Sequence, residues 1–179
     1  WTMSEDGRVY TMRLREGLKW SDGVEFTTED IRFAWEDVNF NRNLKPIGAP
    51  LNLRDPVTDE DVEFAVLDDL HWTLTFDTGN HALMEGGFGG AGCQRFGEFC
   101  VYLPAHHFKQ FHKDYADPVQ LKRVVKKGGF DDWVQLWPFL FDSDFIRPDD
   151  RAPGTGPFIA TVDADTTLEW KRNPYYIAV

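Results

Sequence analysis

Tyr10, Met12 and Leu14 alternate with Thr11, Arg13 and Arg15, the period-two pattern of a strand with one buried face. Glu16-Gly17 interrupts the alternation, and Ser21-Asp22-Gly23 reads as a turn because glycine accepts positive φ. The period then changes. Ile31, Ala34, Trp35 and Val38 fall at i, i+3, i+4 and i+7, which predicts one apolar face of a helix. Thr27 stands where its N-cap should be, with Asp30 at N3 in place of the Glu of a capping box. Phe26 and Ile31 occupy the staple positions.

Residues 39–54 hold Asn, Pro and Gly without periodicity and are expected to be a loop. Val62 to Leu67 and His71 to Phe76 predict two strands joined near Asp68-Asp69 as an antiparallel hairpin. Pro104 opens a short helix carrying Phe108 and Phe111. Asp117-Pro118 gives an N-cap and N1 pair with Gln120 at N3, and Gly128 stops that helix. Phe130 to Trp137 predicts a further short helix ended by Pro138. Strand character returns in FIATV from Phe158, a turn at Asp163-Ala164-Asp165, and TLEWKR. No repeat or linker is evident. The expectation is α+β: a single unit over residues 1–179, with a mixed, largely antiparallel sheet and packed helices.

Charge changes the picture in one direction. With 19 basic and 30 acidic residues the chain carries a net charge of −11, which argues against nucleic acid as a partner. Seven Trp and fifteen Phe make it rich in aromatics, which fill cores and also offer stacking faces; the core is the plainer account. No apolar run approaches the ~20 residues that cross a bilayer, and no basic-then-apolar leader opens the chain. Beginning at Trp1 and ending on Ile177-Ala178-Val179, the sequence is expected to be an excised or processed piece.

Candidate chemistry is sparse. Gly87 to Gly92 (GFGGAG) formally matches the dinucleotide fingerprint, with Asp114 further on, but no apolar strand precedes it and no apolar helix follows. His106, His107 and His112 lie near Cys93 and Cys100, yet His107 and His112 are five apart and no second Cys pair exists. A metal site is therefore not expected. Asp55, Asp59, Glu60 and Asp61 lack EF-hand spacing and read as a solvated acidic turn. No Gly-x-Ser-x-Gly elbow occurs among the three serines, and carboxylate pairs such as Asp149-Asp150 are common in an acidic chain. Neither an enzyme nor a cofactor is expected, and no catalytic residue is assigned. Cys93 and Cys100, separated by six residues, can form a small-loop disulfide in an oxidising compartment or stay as two thiols.

The run YTMRLREGLKWSDGVEFTTEDIRFAW, from Tyr10 to Trp35, closely resembles the opening block of the family 5 extracellular solute-binding proteins. These are the oligopeptide, dipeptide and nickel receptors of ABC importers. GTGPF (Gly154 to Phe158) and KRNPYY (Lys171 to Tyr176) resemble that family's next block in the same order, and LPAHHF (Leu103 to Phe108) resembles its apolar-Pro-x-His element. The resemblance implies part of the first lobe of a two-lobed, periplasmic-binding-protein type II-like fold. It also implies an extracytoplasmic location, periplasmic or anchored at the outer face of the cell membrane. The implied partners are a small solute, foremost an oligopeptide, and an ABC permease in the membrane. The motif residues look structural: Gly23 and Gly156 for turns, Trp35 for packing, Asn173-Pro174 for ending a strand. Lys109 to Phe145 departs from the shorter members and resembles a longer-insertion subgroup.

No ligand contact carries over residue by residue. Phe40 and Asn41, after the first helix, are the candidates for facing a cleft, an ordinary surface loop being the plainer account. The competing reading is a self-contained carbohydrate-binding or adhesion module. It requires Trp20, Trp72, Trp133 or Trp170 to share one exposed face.

Overall fold

The alternating segment forms β2 (Val9–Arg13), with Tyr10 and Met12 buried and Thr11 half-buried between them. In the computed structural model, which describes residues 1–46, 53–84, 100–141, 152–164 and 167–176, β2 lies inside a four-stranded antiparallel sheet. The sheet also holds β1 (Thr2–Met3), β3 (Glu63–Val66) and β4 (His71–Thr75), in the order β1-β2-β4-β3, so β2 pairs with β1 and β4. Tyr10 pairs with Leu74 and Met12 with Trp72, so four buried side chains share one face. The predicted hairpin is present as β3 and β4, with Phe64 opposite Leu74.

Thr27 caps helix α1 (Thr28–Arg32): its side chain accepts the Glu29 N–H, and Asp30 accepts the Thr27 N–H, completing the box. Helical backbone then widens into a π-helical segment, Phe33–Asn39, marked by the Phe40 N–H donating to Trp35 O at 2.9 Å. This departs from the predicted pattern, in which residue 39 opened a loop. The widening turns Asn39 inward, and its amide donates to Cys100 O at 2.7 Å. Trp35 Nε1–H donates to Val101 O, while its ring stacks on Phe64 at 5.2 Å and abuts Trp72 at 5.8 Å. Arg32 outside gathers Glu29, Glu36 and Asp37.

The described residues divide into two compact units. The sheet, α1 and the π-helical segment belong to the first, built from residues 1–16, 27–84 and 100–103 within the described set. The second takes residues 17–26 and 104–176 within that set. It contains α2 (Ala105–Phe108), α3 (Pro118–Lys127), α4 (Trp133–Leu136), and the antiparallel pair β5 (Phe158–Ala164) and β6 (Thr167–Arg172). Asp117 caps α3 through the Val119 and Gln120 amides, with Pro118 in the first turn and Gly128 at the C-cap, as predicted. Pro138 does not end the helical run. It enters a 3₁₀ turn, Trp137–Phe141, that follows α4 directly. The core of this unit is aromatic: Phe108, Trp137 and the fully buried His112 lie within 6 Å ring-to-ring of a neighbour.

Candidate functional site

Three of the singled-out motifs meet in the second unit. The Ser21 N–H donates to Gly154 O at 3.0 Å, and the Gly154 N–H returns a bond to Ser21 Oγ at 3.0 Å. Gly23 has φ +91°, and a Cβ there would stand 2.9 Å from the Tyr175 hydroxyl. Asn173, itself buried, donates its amide to Gly156 O at 2.9 Å and its backbone N–H to Pro157 O. The Asn173 Oδ1 accepts the Tyr175 N–H. Turn, glycine loop and strand end thus interlock through backbone groups, which need satisfying wherever water is excluded.

The LPAHHF element joins the same junction. His106 Nε2 lies 2.8 Å from Asp22 Oδ2, whose other oxygen accepts the Val24 N–H. Trp20, buried at 2% exposure, meets the His106 ring edge-on at 6.4 Å and packs on Phe26 at 4.8 Å. Lys19 sits over the Tyr175 ring. The sequence reading missed the Asp22–His106 pair, because its members stand 84 residues apart. What the junction does chemically is fix backbone: Ser21 Oγ and the Asn173 amide are occupied by backbone partners.

The other sequence candidates scatter. Phe40 is half-buried against Trp35 at 5.9 Å, and its backbone N–H closes the π-helical segment. Asn41 accepts the Asn43 N–H through Oδ1, and its carbonyl takes the Leu44 and Lys45 amides. Both residues shape the loop they stand in. His107 packs against Phe108 and Phe111, and His112 against Trp133 and Tyr115, so the three histidines serve separate neighbours. No grouping suited to a metal ion occurs among the described residues. The glycine-rich GFGGAG stretch and Cys93 lie outside the described residues. Cys100 is buried.

Asp55 corrects the solvated-turn expectation. It is 2% exposed and accepts the Thr78 hydroxyl and amide at 2.7 Å, with the Val57 and Thr58 amides also donating. Burial alone pushes its pKa up. The Thr78 bonds, then those from Thr58 and Val57, outweigh that and hold the carboxyl well below the ordinary range. Asp59, Glu60 and Asp61 are exposed.

The tryptophans rule out the shared binding face. Trp20 and Trp72 are buried at 2% and 4%, Trp133 is half-buried against His112, and only Trp170 of the four is open, at 57%.

Comparison with known proteins identifies the family in which this α+β arrangement occurs. Residues 1–178 match the family model for bacterial extracellular solute-binding proteins, family 5, middle region. The chain belongs to that family. A periplasmic alpha-galactoside-binding protein of Rhizobium meliloti is 34% identical over 180 residues, covering 98% of this chain and 22% of that protein. The oligopeptide-binding protein OppA of Bacillus subtilis is 46% identical over 33 residues, covering 18% of this chain and 6% of that protein. Among solved structures, an oligopeptide-binding protein OppA aligns with a TM-score of 0.75 at 28% identity, over all of this chain and 26% of that one. The Agrobacterium fabrum protein MelB, solved with stachyose, shares the fold: TM-score 0.64 and 23% identity, over 98% of this chain and 22% of that one. The chain therefore spans about a quarter or less of the length of these relatives. No described helix is long and apolar enough to cross a membrane.

Proposed function

We propose that this chain is part of the first lobe of a two-lobed receptor that captures a small solute outside the cytoplasm and hands it to an ABC permease. The family match across residues 1–178 carries the reading. Both compact units are parts of that lobe, and the missing portion of the relatives' length would supply the rest of the cleft. A half-cleft buries little of a ligand, so tight binding belongs to the full-length protein. The solute is released unchanged. The receptor works outside the cytoplasmic membrane, in the periplasm or held at the membrane's outer face.

For the solute, the alpha-galactoside-binding relative, 34% identical over nearly the whole chain, favours an oligosaccharide bearing α-galactosyl units. Oligopeptides are the second reading, favoured by the 28% identical OppA structure. Phe40 and Asn41 remain the proposed cleft-facing contacts, and Cys93 is the proposed disulfide mate of Cys100, the sequence holding two cysteines.

The test is thermal shift of the full-length protein with stachyose and, separately, with di- to pentapeptides. A ligand at one hundred times its Kd adds about 2.7 kcal/mol of stability. Stabilisation by stachyose alone, with the sugar recovered intact, supports the first reading; stabilisation by peptides alone supports the second. Response to neither removes both solute classes. Alkylation of the denatured protein without reductant should leave both cysteines unmodified; two modified thiols remove the disulfide.

A further inference from the structure

Six of the 19 basic residues lie between Lys109 and Lys127, where Asp114 and Asp117 are the only carboxylates. That concentration stands out in a chain of net charge −11. Helix α3 sorts its side chains by spacing. Leu121 and Val125, four apart, are buried, while Val119, Lys122, Arg123, Lys126 and Lys127 are exposed. Those five fall at i, i+3, i+4, i+7 and i+8, a continuous outward stripe. None of its four cations forms an ion pair among the described residues. Arg13, Arg32, Arg42 and Arg54 each reach a carboxylate.

Such a stripe has a cost. Lys122 faces Lys126, and Arg123 faces Lys127, at like-charge spacing. The helix dipole favours cations in the last turn, which accounts for Lys126 and Lys127 but not for Lys122 and Arg123.

We propose that this face of α3 is a contact surface for an anionic phospholipid bilayer. Three of the four cations are lysines, flexible point charges suited to a field of headgroups rather than to one oriented carboxylate or phosphate. Val119, 73% exposed, extends the stripe with an apolar side chain fit for the headgroup boundary. Charges act on a membrane only within about a Debye length, about 8 Å at physiological ionic strength, so a local basic stripe attracts even though the whole chain is acidic. The proposal rests on the charge pattern alone and is independent of the solute.

Flotation of the full-length protein with phosphatidylcholine vesicles, with and without phosphatidylglycerol, tests it. The protein should float only with phosphatidylglycerol, and less as salt rises. Each stripe cation removed should weaken partition about fivefold. K122Q/K126Q should therefore lose about 25-fold, with an unchanged melting curve showing that it folds. R13Q/R15Q, the same change in net charge on β2 and just after it, should float like the unaltered protein. Equal loss in both variants, or no flotation with phosphatidylglycerol, overturns the proposal. Retention on immobilised polyglutamate without vesicle binding reassigns the stripe to an acidic protein.

Discussion

Ser21 and Gly154 exchange two hydrogen bonds at 3.0 Å across 133 intervening steps of chain. One uses the Ser21 backbone and the other its hydroxyl, so S21A deletes half of the exchange. The expected loss is about 1 kcal/mol, or a melting temperature lower by about 2–4 °C in a chain of this size. Differential scanning calorimetry reads it directly.

Gly23 combines a φ of +91° with Tyr175 where a side chain would go. G23A should cost more than S21A, about 1–2 kcal/mol from backbone strain alone, plus displacement of the tyrosine. Y175F removes the nearest atom but leaves the strain. In a double-mutant cycle by urea unfolding, G23A should hurt less in the Y175F background. Strict additivity would mean the hydroxyl is not in the way.

Asn39 exchanges bonds with the backbone of Cys100 on both sides, at 2.7 Å from its amide and 3.4 Å to its oxygen. N39L keeps the volume roughly and removes both bonds to the buried Cys100 backbone. A loss of about 1–3 kcal/mol is expected, read as a lower denaturant midpoint with an unchanged slope.

Asp55 makes acid sensitivity predictable in sign. Its folded pKa is depressed by the bonds from Thr78, Thr58 and Val57. The stability it contributes is therefore complete above the unfolded value of about 3.9 and drains away as pH falls below that toward the folded value. D55N should melt lower at neutral pH and show a flatter decline on the acid side. T78V, which removes one donor, should fall between the two proteins. Melting curves at neutral pH and near pH 3 distinguish these outcomes.

Local features were legible. The Tyr10–Met12 alternation, the Thr27 cap, the Asp117-Pro118 start and the β3–β4 hairpin each depend on neighbours a few residues away. The inward turn of Asn39 was not, because widening into π-helical backbone answers to Cys100, 61 residues on. Asp55 looked like one carboxylate in an acidic run. Its burial depends on Thr78, whose pairing no spacing rule announces. The motif segments were found individually. Their convergence is a tertiary event, and so is the assignment of residues 17–26 to a different unit from the residues on either side.

That last arrangement has a consequence in time. Residues 17–26 are synthesised well before their partners: Ser21 must wait for Gly154, and Gly23 for Tyr175. At about 5–20 residues per second of synthesis, the delay for Ser21 alone is on the order of ten seconds. Through that interval Trp20 and Phe26, buried at the end, have an unfinished home. The turn at Ser21-Asp22-Gly23 cannot be complete until Gly154 and Tyr175 have been made.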